Sequence, residues 1–242
     1  MTRGFRGFPD DGLRFLKGLK RNNKRPWFEA RRSIYENAIK GPMDDFILAL
    51  ARDFQEFAPE FVATPKISRY RIYRDTRFSP NKTPYKTHVA AVFPRRGLEK
   101  HQGAGFYVHI EPGQAFAGGG LWRPLPADMV AIREHLSTRH QEFRKILADR
   151  TFRRLFGELG GETLKRVPPG FGKDHPAEDL LRHKQFLASR PLNPEIITTP
   201  RLHTEAVKSF KAMLPMIRFL NQPIVKRNKQ TLGEQPAGPR TD

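Results

Sequence analysis

The sequence predicts an α+β fold, a single domain with a central, mainly antiparallel sheet of about four or more strands packed against amino- and carboxy-terminal helices. Apolar residues recur at helical spacing in the first and last thirds of the chain and alternate with polar ones in the middle third. A Pro112-Gly113 pair between two alternating runs adds a hairpin turn.

Residues 10–21 carry Leu13, Leu16 and Leu19 on one helical face. Residues 26–40 begin with Pro26, suited to a first helical position, and continue through Trp27, Ile34, Tyr35 and Ala38. A third helix is expected from near Asp44, where Phe46, Ile47, Leu50, Phe54 and Phe57 make a broad apolar stripe. Aromatic residues at such spacing, Trp27 and Phe28 included, read as core.

Taken as a strand, residues 66–78 put Arg69, Arg71, Tyr73, Asp75 and Arg77 on one face and Tyr70, Ile72, Arg74 and Phe78 on the other. Ser79-Pro80-Asn81 then reads as a turn, and Pro84 keeps Thr83 extended. Residues 85–93 are rich in β-branched and aromatic side chains and read as a strand. Phe106, Val108 and Ile110 alternate with Tyr107, His109 and Glu111, and Gln114 to Ala117 follow the turn. By parity, Arg71, Asp75, Arg77, Tyr107, His109 and Glu111 share a polar sheet face, with helices on the other.

Gly118-Gly119-Gly120 reads as a bend or bulge, or as a place where backbone amides approach a ligand. It is neither a P-loop nor G-x-G-x-x-G, and no cofactor is expected. Helical periodicity returns at 126–149 and at 201–221, where Val207, Phe210, Leu214, Ile217 and Leu220 align. Between them, Asp174 is placed to cap a helix through Leu180, Leu181 and His183. The globular domain is read as 1–222, with a basic, disordered tail at 223–242 containing Lys226-Arg227-Asn228-Lys229.

Composition fits one sizeable core, since 242 residues include 38% hydrophobic positions and 19 Phe. No apolar run is long enough to span a bilayer, and Met1 to Phe5 lack the apolar core of a signal peptide, so neither membrane spanning nor export is expected. The absence of cysteine excludes thiol nucleophiles and Cys-based metal sites and suits a reducing compartment, so a cytoplasmic location is expected. The formal net charge of +19 favours polyanions. That charge is dispersed and accompanied by no nucleic-acid-binding motif, so weak, non-specific nucleic-acid binding is expected from it, with a nucleic-acid-binding protein using its generally basic surface as the alternative function.

The densest chemistry lies in residues 71–85, where Arg71, Arg74, Arg77 and Lys82 surround Asp75, with Asn81 and Tyr85 alongside. Guanidinium groups bind carboxylate or phosphate bidentately. The cluster reads as a site for a small phosphorylated or carboxylated ligand, or else as an internal ion-pair network. Asp75, acidified by arginines, suits orientation of Arg74 or Arg77 better than general-base work. Tyr85 and His109 are the candidate proton-transfer groups. His109 and Glu111 also share a strand face, as two ligands of a metal site would, though no third ligand is evident. The expectation is therefore no metal, with a His109/Glu111 site as the alternative. His135 and His140 are five residues apart, poor spacing for one helical face.

Arg71, Arg74, Asp75, Arg77, Phe78, Asn81, Lys82 and Tyr85 fill every fixed position of R-x-x-R-D-x-R-F-x-x-[DN]-K-x-x-Y. In this the chain resembles the uncharacterised family called domain of unknown function 2461. The similarity extends through Phe8-Pro9, Asn22-Asn23…Trp27-Phe28, Gly118-Gly119-Gly120-Leu121-Trp122, Pro169-Gly170-Phe171 and Asp174-His175-Pro176. The resemblance implies a cytoplasmic single-domain protein and assigns it no reaction.

Overall fold

The computed structural model describes residues 4–233, with side chains through residue 230. Helix α1 (Asp10–Arg21) buries Phe15, Leu16 and Leu19, while Asp10 and Asp11 in its first turn and Lys20 and Arg21 in its last complement the helix dipole. The expected helix at 26–40 is broken into α2 (Arg25–Glu29) and α3 (Arg32–Tyr35), followed by a π-helical turn over Glu36–Lys40 that leads without interruption into α4 (Gly41–Phe57). A single helical turn, α5 (Pro65–Ser68), comes next.

The sheet contains β1 (Val89–Phe93), β2 (Gly105–Glu111), β3 (Gln114–Leu121) and β4 (Phe186–Leu192), in that spatial order and antiparallel throughout. Glu111 pairs with Gln114 across the two-residue turn, in which Gly113 takes φ +81°, open to glycine without strain. Between β3 and β4 lie α6 (Pro126–Leu147), α7 (Arg150–Phe156) and α8 (Glu178–Leu181). A 3₁₀ turn (Pro194–Thr198) then leads into α9 (Arg201–Gly233).

Phe106, Val108 and Ile110 point to the helical layer, where α4 supplies Phe54 and α9 supplies Phe210; the rings of Phe106 and Phe210 are 4.8 Å apart. Gly119 shows how closely α9 approaches: a Cβ there would lie 2.4 Å from Met213 Sδ and 2.9 Å from Ile217 Cδ1. The opposite face of the sheet carries Tyr107, His109 and Glu111 and, among the described residues, no covering helix layer.

Three expectations are corrected. Residues 66–78 are not a strand: α5 occupies the start, and beyond it only isolated bridges form, Arg69 with Ala91 and Tyr73 with Tyr85. The fourth strand is β4 instead, which pairs with β3 and tolerates Pro191 because β4 is an edge strand that can lack a donor. The chain does not leave the domain at Pro223. Helix α9 continues through Pro215 and Pro223, burying Ile224, and Arg227 pairs with the fully buried carboxylate of Asp128. The part of the expected tail beyond Gly233 lies outside the described residues. Finally, Asp174 does not cap α8; His175 Nδ1 accepts from Ala177 N at 3.0 Å, and no side chain caps the helix.

Candidate functional site

The eight signature residues lie on a hairpin-like loop. Its arms are joined where Arg74 N donates to the Pro84 carbonyl (2.9 Å) and Lys86 N to the Ile72 carbonyl (2.8 Å). Towards the tip, the loop's polar groups bind one another. Arg77 donates from Nε and Nη2 to the two oxygens of Asp75 (3.0 and 2.8 Å), which holds that carboxyl down at about 2. Arg74 Nη1 donates to Thr83 Oγ1 (3.2 Å), Lys82 Nζ to the Thr76 carbonyl (3.0 Å), and Asn81 Oδ1 accepts from Thr83 N (3.0 Å) and Thr83 Oγ1 (2.7 Å). Phe78 is 93% exposed with the Arg77 guanidinium over its ring. Arg74, Arg77 and Lys82 thus face different partners instead of one common point.

Tyr85 is 2% exposed, stacked on Phe28 at 4.2 Å, and burial raises its phenol pKa. Asn23 clasps its backbone, accepting from Tyr85 N (3.0 Å) and donating to the Tyr85 carbonyl (2.9 Å). Its position anchors the loop to the core through Phe28, and Trp27 likewise packs against that core.

The loop's arms end at a cavity of about 800 Å³ on the open face of the sheet. Its floor is small and apolar: Ala90 and Val92 from β1, Gly105 from β2, and Gly118 and Gly120 from β3. These residues share the sheet face of Tyr107. Tyr70, Lys86 and His88 form one wall, Lys100 and His101 another, and Trp122 and Arg123 lie beyond the end of β3. Neither Asp nor Glu is among the lining residues. Gly120 has φ +124°, and a Cβ there would lie 1.9 Å from the Phe186 carbonyl oxygen, so the glycine run allows β4 to approach as well as opening the cavity.

The Lys86 and Lys100 ammonium groups lie 5.1 and 4.8 Å from the centre of the Tyr70 ring, and the His101 ring stacks on that tyrosine. Burial pushes both lysines below their ordinary value; Lys86 is lowered further by Arg71, Lys100 and Arg74. His88 is pushed down to about 4 by burial and then by His109, Lys86 and Arg74. Tyr107 is pushed up to about 12, mainly by burial.

The wall carrying Lys100 and His101 is held from the helical layer. Asn221 of α9 accepts from Ala104 N and donates to the Ala104 carbonyl, both at 2.9 Å. Asn228, one turn past Pro223, exchanges hydrogen bonds with Gln102 (3.3 and 3.2 Å).

Residues 11–219 match the model of a family described as conserved hypothetical protein (DUF2461). The chain belongs to this family. A search of curated proteins found no match. Among the described residues of this DUF2461 protein, no group of three or more His, Cys, Asp or Glu could hold a metal ion, and no helix is long and apolar enough to cross a membrane. His135 lies against Phe219 and His140 against His175, apart from the cavity lining. Parity placed Tyr107, His109 and Glu111 correctly on one face. Tyr70, Lys86, Lys100, His101, Trp122 and Arg123 were not singled out, because they meet only through folding; the one local signal was Lys86 directly after the signature tyrosine.

Proposed function

We propose that this protein binds a small amphipathic anion in the sheet cavity, a ligand with a flat apolar body and one carboxylate, phosphate or sulfonate group. The observation that carries the reading is the pair of half-buried ammonium groups, Lys86 and Lys100, flanking Tyr70 in a cavity lined by no carboxylate. Such cations gain by binding an anion, because each charge-assisted hydrogen bond is worth about 1.5–3 kcal/mol and offsets part of their desolvation. The floor and the aromatic walls suit the apolar body, and the volume is in the usual range for small-ligand sites.

The signature loop supports the same reading from the rim. Arg71 and Arg74 lower the pKa of Lys86, and Arg74 lowers that of His88, so their positive fields reach the cavity. The Arg71 carbonyl also accepts from Lys86 Nζ at 2.9 Å and orients that side chain. In this proposal Arg71, Arg74, Arg77 and Lys82 draw the anion in, Asp75, Asn81 and Tyr85 hold the loop's shape, and Lys86 and Lys100 bind the ligand.

Anilinonaphthalene sulfonate, a flat apolar anion, is a suitable probe. It should titrate to a single saturable site, with affinity falling at least about tenfold in Lys86→Gln/Lys100→Gln. The neutral analogue phenylnaphthylamine should bind both proteins alike. Equal sulfonate affinity for both, with the variant still folded by circular dichroism, would remove this reading.

A further inference from the structure

Three side chains of β2 form a chain of polar contacts beginning at the cavity. Tyr107 lines it; the Tyr107 hydroxyl lies 3.2 Å from His109 Nδ1, and His109 Nε2 lies 3.6 Å from Glu111 Oε1. Their order follows from strand geometry, since residues two apart project to the same face. The imidazole is held on both flanks, by the His88 ring at 4.4 Å and the Phe116 ring at 5.0 Å. Glu111 facing Nε2 favours the tautomer with its proton there, leaving the Nδ1 lone pair to accept from the tyrosine hydroxyl.

We propose that Tyr107, His109 and Glu111 form a proton relay that makes the Tyr107 hydroxyl a catalytic acid–base group toward the ligand of this cavity. The proposal rests on the cavity being the ligand site. In the forward step a ligand O–H bond, or an acidic C–H bond next to the anionic group, breaks and its proton passes to Tyr107 Oη. The tyrosine's own proton moves to His109 Nδ1, and the imidazolium faces the Glu111 carboxylate. The reverse step returns the proton, so no oxidant or reductant is consumed. The reaction class is proton transfer, as in an enolisation or isomerisation of a small anion. Lys86 and Lys100 would face the negative charge that develops on the ligand.

Burial supports this division of labour. It holds Tyr107 protonated and His109 neutral, so the tyrosine is no preformed phenolate and requires the imidazole to take its proton at the moment of reaction. His109 is therefore a positioning and relay residue, and Glu111 orients it.

The relay can be tested without knowing the ligand, using p-nitrophenyl acetate and the full chain. Attack by Tyr107 Oη forms an acetyl ester, expels p-nitrophenolate and sends the phenolic proton to His109 Nδ1; peptide mass mapping locates the acetyl group. Acetylation of Tyr107 is expected, absent in Tyr107→Phe, slowed at least about tenfold in His109→Gln and less in Glu111→Gln. The rate in the unaltered protein should rise through the titration of one acid-range group and then level off. His88, Lys86, Tyr70 and Arg74 also carry titratable or charged groups near this site, so the same profile is recorded in His88→Gln, where the step should persist. No acetyl at Tyr107, or a rate that climbs only through the ordinary tyrosine range, would overturn the relay even if His109→Gln does not fold. Sulfonate binding is scored separately: its failure beside a reactive Tyr107 removes the anion reading and leaves the relay.

Discussion

His88 and Arg77 carry comparable chemistry in opposite environments, and their expected behaviour differs accordingly. His88 is held neutral, its pKa lowered from 6.5 to about 4 in the folded chain. Because the unfolded chain then binds the proton more readily, stability from this group is present above pH 6.5 and is lost as pH falls toward about 4. The thermal midpoint should therefore drop across that window, and His88→Gln should make the drop shallower; identical slopes would exclude His88 as the cause. Arg77 pairs with Asp75 in full contact with solvent. Exposed pairs contribute little to stability, so Arg77→Ala should leave the melting midpoint unchanged within scatter. A large fall would show that the pair fixes the loop and the fold.

At the scale of elements, two asparagines repeat one device. Asn23 and Asn221 each use a side-chain amide to satisfy both backbone groups of a distant residue, Tyr85 and Ala104, as a neighbouring strand would. Replacing Asn221 with Ala orphans a buried donor and acceptor at about 1–3 kcal/mol each, so a loss of roughly 2–6 kcal/mol is expected by urea unfolding. Sulfonate affinity should also fall although Asn221 does not line the cavity. Gly120→Ala should cost about 3 kcal/mol or more, because the new Cβ meets the Phe186 carbonyl and φ +124° is strained for alanine. The alternation of Phe106 to Glu111 and the Pro112-Gly113 turn were legible because both are local. Strand β4 was not, since Pro191 argues against a strand until the chain is known to lie at an edge. The charged run 66–78 misled for the complementary reason: period two was present, but α5 and the loop closed by Pro84 leave room only for bridges. The site was half legible. Its cationic character was visible in Arg71 to Lys82, whereas the convergence of Lys86 with Lys100 depends on a loop anchored by α9.

For the whole molecule, the turns of α9 after Pro223 are part of the domain. Removing residues 223–242 would strip Ile224 from the core and leave Asp128, 0% exposed, without Arg227. Losing one partner of a buried pair typically costs about 3–5 kcal/mol. The truncated chain should melt well below the full one, whereas a dispensable tail would leave the midpoint unchanged. Contacts of this reach also place the cavity in time. Asn221 follows Ala104 by 117 residues, so on a ribosome adding about 5–20 residues per second, the Lys100 wall waits roughly 6–23 s for its support. A nascent chain paused before Asn221 would already contain the residues of its sheet and signature loop but would lack one brace of the cavity. Ligand competence in newly made protein should therefore lag behind the appearance of the sheet.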